Sequence, residues 1–287
     1  MNKKTLIFLV FIIQLINNNL FTEDIIKFEH ITQKHGLSQR IVYSIIQDKY
    51  GFLWFGTRNG LNRYDGYRFV VYKHNKNNPN SLSNNVIRSI CKDKSGNLWI
   101  GTWGGGVNKF DIEKEQFTHF IHNPEDKNSL RDNFIFKVFM DSQNRLWILT
   151  RKGLHRFNIE NKTFSYFTHN ELDPKSISSN KVCSILEDTH NTIWIGTFNG
   201  LNKFENDING FKHYMIDTIN HNDLNKNYIR SVFEDNSKRL WIGTAKGELY
   251  IFLKKEERFK PLNVQGEMIS KKLKLDTISC FKQDQFN

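Results

Sequence analysis

Five side chains recur at one spacing where a ligand could be met: Arg58, Trp103, Arg151, Phe198 and Ala245, 45 to 48 residues apart. Each directly follows a repeated Thr or its equivalent. A guanidinium offers paired donors to an anionic group, and an aromatic face can stack on a sugar ring. Arg58, Trp103, Arg151 and Phe198 are therefore the candidate ligand-binding residues, and an anionic saccharide is the ligand they would suit. Trp103 is the sharpest of them. It is the one Trp outside the repeated Trp register, and it precedes Gly104-Gly105-Gly106. The competing reading is that these side chains only cover a loop face. Arg63, Lys109, Arg156 and Lys203 also recur in register, where a solvated or blade-edge role fits better than ligand contact.

Other chemistries are not signalled. The chain has no Gly-x-Ser-x-Gly, no His-Glu-x-x-His and no GxxxxGK[ST] loop. No metal or cofactor is expected. His74-Asn75, His122-Asn123 and His169-Asn170 each precede a Ser (Ser81, Ser129, Ser176) by the same interval, with a looser copy at His221-Asn222. One such His per repeat places them far apart, so a structural linker turn is expected rather than a metal site. Cys91, Cys183 and Cys280 occupy different repeats at different heights, which predicts free, mostly buried thiols.

The elements that must carry these residues follow from a longer repeat. Leu/Ile, then Val/Ile five residues on, then Asp six further, recurs at Leu37–Val42–Asp48, Leu82–Ile87–Asp93, Leu130–Ile135–Asp141, Ile177–Val182–Asp188, Leu224–Ile229–Asp235 and Leu273–Ile278–Asp284. In the first five copies a Trp follows the Asp by six residues: Trp54, Trp99, Trp147, Trp194 and Trp241. A sixth Trp would fall near position 290, three past Asn287. Four short apolar segments per period suit one blade of a β-propeller. Repeat two shows them at 87–91, 98–102, 107–111 and 116–121. The expectation is an all-β propeller of four-stranded blades: five complete blades plus the first strand of a sixth, an incomplete seven-bladed ring truncated in blade six.

Within a blade, the Asp should close an Asx-turn on its own backbone. Gly51, Gly96, Asn144 and Asn191 stand three residues later, where a left-handed conformation is often needed, and Lys238 takes that slot in repeat five. The Trp should fill the wedge between neighbouring blades. Gly56, Gly101, Gly196 and Gly243 after it would permit close backbone approach, with Leu149 the exception in repeat three. Residues 25–32 read as a leading outer strand.

Net charge is +11, yet no five like charges run together. Nucleic-acid binding needs a clustered footprint, so a solvated Lys excess is the better reading. Residues 1–22 read as a signal peptide or an N-terminal anchor: a basic start, then an apolar run of 11 that is too short to span a bilayer. Residues 23–287 form the propeller, and no later membrane span is expected.

The segments Gly36-Leu37-Ser38 and Gln47-Asp48-Lys49-Tyr50-Gly51-Phe52-Leu53-Trp54-Phe55-Gly56-Thr57-Arg58-Asn59-Gly60-Leu61-Asn62-Arg63-Tyr64-Asp65-Gly66 resemble a two-component regulator propeller. The Leu/Ile-Trp-Ile-Gly-Thr segments at 98–102, 193–197 and 240–244 are similar to the same repeat, and the resemblance covers about residues 25 to 287. It implies the periplasmic sensor end of a hybrid two-component histidine kinase. Such proteins typically carry two propellers, a β-sandwich, a transmembrane helix and a kinase, and many sense glycans. On that resemblance the chain is expected to be a non-catalytic periplasmic sensor, anchored in the inner membrane if residues 1–22 are retained. It would bind an oligosaccharide and, in an intact relative, act as a homodimer. The chain departs from the pattern by stopping in blade six. The alternatives are a protein-interaction scaffold and a propeller lyase.

Overall fold

In the computed structural model, residues 29–216, 227–264, 267–268 and 276–283 are described. The chain divides into two units, Met1–Thr32 and Gln33–Asn287. Glu29 to Thr32 of the first carry no strand, and the rest of the expected leading strand and of the 1–22 segment lies outside the described residues. Leu224, Leu273, Asp284 and the His221-Asn222 linker copy also lie outside them.

The second unit is built of antiparallel four-stranded sheets in chain order. Blade one holds β1 (Val42–Gln47), β2 (Leu53–Thr57), β3 (Gly60–Tyr64) and β4 (Phe69–Tyr72). Blade two holds β5 (Ile87–Lys92), β6 (Leu98–Thr102), β7 (Val107–Asp111) and β8 (Gln116–Phe120). Blade three holds β9 (Ile135–Met140), β10 (Arg145–Thr150), β11 (Gly153–Asn158) and β12 (Thr163–Phe167). Blade four holds β13 (Val182–Glu187), β14 (Ile193–Thr197), β15 (Gly200–Glu205) and β16 (Gly210–Tyr214). Blade five holds β17 (Ile229–Glu234), β18 (Leu240–Thr244), β19 (Leu249–Leu253) and β20 (Arg258–Pro261). A two-stranded hairpin, β21 (Asn263–Val264) with β22 (Glu267–Met268), follows. Where blade six was expected to begin, residues 276–283 are not in a ladder. They lie beside blade five, with Ile278 N donating to Thr244 O and Ser231 Oγ donating to Ile278 O at 2.8 Å.

The repeat Asp and Trp are bonded to each other. Asp48, Asp93, Asp141, Asp188 and Asp235 accept the indole N–H of Trp54, Trp99, Trp147, Trp194 and Trp241 through Oδ2 at 2.7, 3.0, 2.8, 2.8 and 2.7 Å. The other oxygen, Oδ1, accepts the amide four residues on, as from Phe52 at 3.0 Å and Thr192 at 3.0 Å. It also closes the two-residue turn, as from Tyr50 at 2.9 Å and His190 at 2.9 Å. One carboxylate thus sets the hairpin between the first two strands and satisfies an indole donor that would otherwise be buried unpaired. Lys238 adopts the same left-handed φ (63°) as Asn144 and Asn191 (both 60°), so the fifth turn keeps its geometry despite the substitution.

Four of the five repeat Trp pack against an aromatic of the next blade: Trp54 on Phe110, Trp99 on Phe157, Trp147 on Phe204 and Trp194 on Phe252, with ring centroids 5.1 to 5.8 Å apart. Trp54, Trp99, Trp147 and Trp194 are buried, and Trp241 is half-buried. Burying 150–250 Å² per aromatic at about 25 cal/mol per Å² is worth roughly 4–6 kcal/mol of transfer free energy at each seam. Three of the four recurring cations lie over these rings, Arg63 on Trp54 at 5.8 Å, Lys109 on Trp99 at 5.9 Å and Arg156 on Trp147 at 5.5 Å, while Lys203 pairs with Glu205 at 3.6 Å.

The linkers are structural. His74, His122 and His169 donate from Nδ1 to the carbonyls of Leu82, Leu130 and Ile177 at 2.7, 2.6 and 2.8 Å. Ser81, Ser129 and Ser176 each accept an amide and return a bond across the loop, as with Asn75 at 2.9 and 3.0 Å. All three thiols are free, but Cys280 is exposed rather than buried.

Candidate functional site

First strands of successive blades lie side by side, and each bulges at the residue after its repeated Val/Ile. The register slips between Val42 and Ser44, Ile87 and Ser89, Val182 and Ser184, and Ile229 and Ser231, and at the same place in β9. A bulge removes one residue from the ladder and re-aims its side chain. Arg88, Phe136, Cys183 and Arg230 occupy that bulged position in blades two to five, and Ser279 follows Ile278 in the same register. All five line one cavity of about 590 Å³, with Lys137, Arg151, Lys181, Val182, Phe198 and Tyr228. Contributions from four blades and from residue 279 mean that the blades curve around it.

Among the four loop residues singled out by sequence, Arg151 and Phe198 line the cavity. Trp103 stands at its edge. Its ring packs on Phe136 at 5.3 Å and Phe134 at 5.1 Å, with the Arg88 guanidinium 5.7 Å away. Arg58 is exposed and is not part of the lining. The bulged register was the larger contribution, and the sequence carries a sign of it. Tyr43, Arg88, Phe136, Cys183, Arg230 and Ser279 differ from one another beside a nearly invariant Val/Ile.

The electrostatics are one-sided. Arg88, Lys137, Arg151, Lys181 and Arg230 are five cations, and no Asp, Glu or His is in the lining. Arg151 is paired, its Nε 3.3 Å from Asp132 Oδ2. Arg230 donates to the Tyr228 hydroxyl at 3.2 Å. Arg88 lies over the Tyr43 ring at 4.3 Å, and its buried Nε has no protein acceptor. Lys181 lies over Phe198 at 4.9 Å, and Phe198 stacks on Tyr228 with centroids 3.8 Å apart. Burial alone draws the Lys137 amine below its ordinary range. Burial pushes the Cys183 thiol up to about 11, so it is protonated at neutral pH and a poor nucleophile. The arrangement can hold an anion beside flat aromatic faces.

A second group of ligating atoms, Asp188, His190 and Glu234, lies close enough for a cation. It already holds one of the chain's own: Lys254 Nζ is 2.7 Å from Asp188 Oδ2 and 2.6 Å from Glu234 Oε1. Burial by itself would raise the Asp188 carboxyl, but Lys254, the Trp194 indole and the Thr192 amide together hold it below the usual range.

Comparison with known proteins places these features. The repeat profile described as "two component regulator propeller" matches residues 36–59, 81–104, 129–152, 176–199 and 223–246, one match per blade. The chain belongs to the two-component regulator propellers. This regulator propeller is similar to the extracellular domain of a protein described as a hybrid two-component system from B. thetaiotaomicron, at 30% identity and a TM-score of 0.70. The match covers 81% of this chain and 31% of that one. It is also similar to a histidine kinase of Formosa agariphila, 52% identical over 48 residues, which is 17% of this chain and 4% of the kinase. The extracellular domain of a second B. thetaiotaomicron protein, described as a one component system, shares the fold at 22% identity and a TM-score of 0.62. That match covers 78% of this chain and 31% of the other. The chain thus spans about a third or less of the length of these three proteins. Among the described residues no helix is long and apolar enough to cross a membrane.

Proposed function

We propose that this regulator propeller is the ligand-binding part of a periplasmic two-component sensor, and that its ligand is an acidic oligosaccharide held in the cationic cavity. The observation that carries the reading is the lining itself: five cations and three aromatic rings, Phe136, Phe198 and Tyr228, with no carboxylate. Charge selects the anion, and aromatic faces receive the sugar's C–H surfaces. The volume lies within the roughly 300–1,000 Å³ typical of small-molecule sites. Likeness to extracellular domains of two-component systems supports an exported sensor. In such a sensor the ligand acts by its differential affinity for two arrangements of the whole receptor, and the propeller itself performs no chemistry.

Isothermal titration with uronate-containing or sulfated oligosaccharides, against neutral ones of the same length, tests this. Binding to the acidic set only, weakening with added salt, is expected. No heat with any acidic saccharide overturns the ligand assignment. Release of unsaturated uronate, read as ultraviolet absorbance, would instead make the cavity a lyase site.

A further inference from the structure

Four blades share a packing rule that blade three breaks. In blades one, two, four and five a Ser on the first strand pairs across the ladder with a Gly on the second: Ser44 with Gly56, Ser89 with Gly101, Ser184 with Gly196, and Ser231 with Gly243. The Gly lets the next blade in. A Cβ at Gly56, Gly101, Gly196 or Gly243 would stand 2.6 to 2.7 Å from Cγ2 of Ile87, Ile135, Ile229 or Ile278. Three of the Ser hydroxyls also strap neighbouring strands together. Ser44 Oγ accepts from Ile90 N at 3.1 Å, and Ser89 and Ser231 donate to Val138 O and Ile278 O.

In blade three the same cross-strand pair is Lys137 and Leu149. Leu149 is buried and packs in one cluster with Val182 and Ile185 of blade four. The residue that meets it is Val182, where the other seams present Ile. Three exchanges, Ser to Lys, Gly to Leu and Ile to Val, thus fall at one seam. Their joint effect is to hold β13 off β9, along which it packs over a shorter stretch than its counterparts do. The space released is part of the cavity, and Lys137 lines it. Among the described residues no carboxylate and no hydrogen-bond acceptor meets the Lys137 amine. Lys137 is half-buried at the cavity wall, and an ammonium so placed without a counter-ion is what an anion would relieve.

We infer that the seam between blades three and four is a subsite for one anionic substituent of the saccharide, a carboxylate or a sulfate ester, with Lys137 as its anchor. The inference rests on the acidic-ligand reading above, but it names the group and the residue. Arg151 and Lys181, from the two blades that flank the seam, line the same cavity. The two exchanges in blade three create the opening and supply its charge.

The test uses the whole chain. Lys137 is labelled with an amine-reactive reagent and quantified by peptide mass spectrometry. Glucuronate, glucose 6-sulfate and glucose are added in turn at one ionic strength. At least one of the two anions should slow labelling of Lys137 about tenfold, and glucose should not; which anion protects separates carboxylate from sulfate. Equal labelling with all three overturns the subsite. In titrations, Lys137→Met should lose at least tenfold in affinity for any acidic oligosaccharide that binds the unaltered chain. Equal affinity overturns the subsite while leaving the ligand class standing. Protection of Lys137 without any oligosaccharide binding does the reverse. The pair Lys137→Ser with Leu149→Gly restores the ordinary seam, so it should melt at a higher temperature and leave no protected site. A pair that melts lower removes the packing argument.

Discussion

At the scale of single residues, one carboxylate per blade holds a turn and a tryptophan at once. Asp48 accepts two backbone amides and the Trp54 indole, all at 3.0 Å or less. Removing it strands three donors, one of them buried, and hydrogen bonds to charged groups are the costlier ones to lose. Asp48→Ala is expected to cost about 3 kcal/mol in urea unfolding; a loss below about 1 kcal/mol would mean that the turn forms without it. His155 is a second residue with a measurable signature. It stands where blades one, two and four have Asn62, Asn108 and Asn202, whose Oδ1 accepts the amides of Ser38, Ser83 and Ser178. Neither ring nitrogen of the buried His155 has a protein partner. Burial, then repulsion from Arg131, lowers its pKa from 6.5 to about 4, with Asp132 opposing and His122 adding a little. The unfolded chain therefore binds a proton that the folded chain refuses between those values. Stability should fall as pH drops from about 6.5 to about 4, by up to about 3 kcal/mol from this residue. His155→Asn should flatten that stretch of the stability–pH curve. An unchanged slope would show that the imidazole finds a partner in solution.

At the scale of elements, the turn between the first two strands is the most uniform feature. Its fourth residue is left-handed in all five blades, and Lys238 alone bears a side chain poorly suited to that region. Lys238→Gly should raise stability by roughly 0.5–1 kcal/mol, seen as a higher urea midpoint with unchanged slope. A drop would mean that the Lys238 side chain makes a contact worth more than the backbone strain. The element scale also explains what could and could not be read from residues alone. Four-stranded blades follow from the Trp period and from apolar segments of strand length, and the linker turns from the recurring His-Asn and Ser. The loop register after the Thr puts Arg151 and Phe198 in the cavity lining, because the strand ladder places that loop there, and Arg58, on blade one, is outside that lining. The bulge hid the rest. Simple alternation assigns Arg88, Phe136, Cys183 and Arg230 to faces of a flat strand, and only the slipped register turns them inward. The Asp–Trp bond was hidden for a similar reason, since the six-residue spacing spans a hairpin whose closure must be known first.

At the scale of the molecule, the blades form a chain of nearest-neighbour contacts, so stability is approximately a sum of blade and seam terms. The seams are not equal. Three of those that are described combine a Gly against an incoming Ile with a Ser strap, whereas the seam between blades three and four has Leu149, Lys137 and a cavity. Sub-global opening begins where buried apolar contact is least, so this seam should part first. The free thiols report on it without added probes. Cys183 lines the cavity at that seam, Cys91 packs in the cluster shared by blades two and three, and Cys280 is exposed. In pulsed alkylation across a urea series, Cys280 should react throughout and serve as the reference. Cys183 should lose protection at a urea concentration below the global midpoint, and Cys91 only at that midpoint. With Lys137→Ser and Leu149→Gly together, the two transitions should coincide, because the rebuilt seam would open only with the rest. Coincident transitions in the unaltered chain would show instead that the five blades unfold as one cooperative unit, with the cavity held open by forces other than the missing packing.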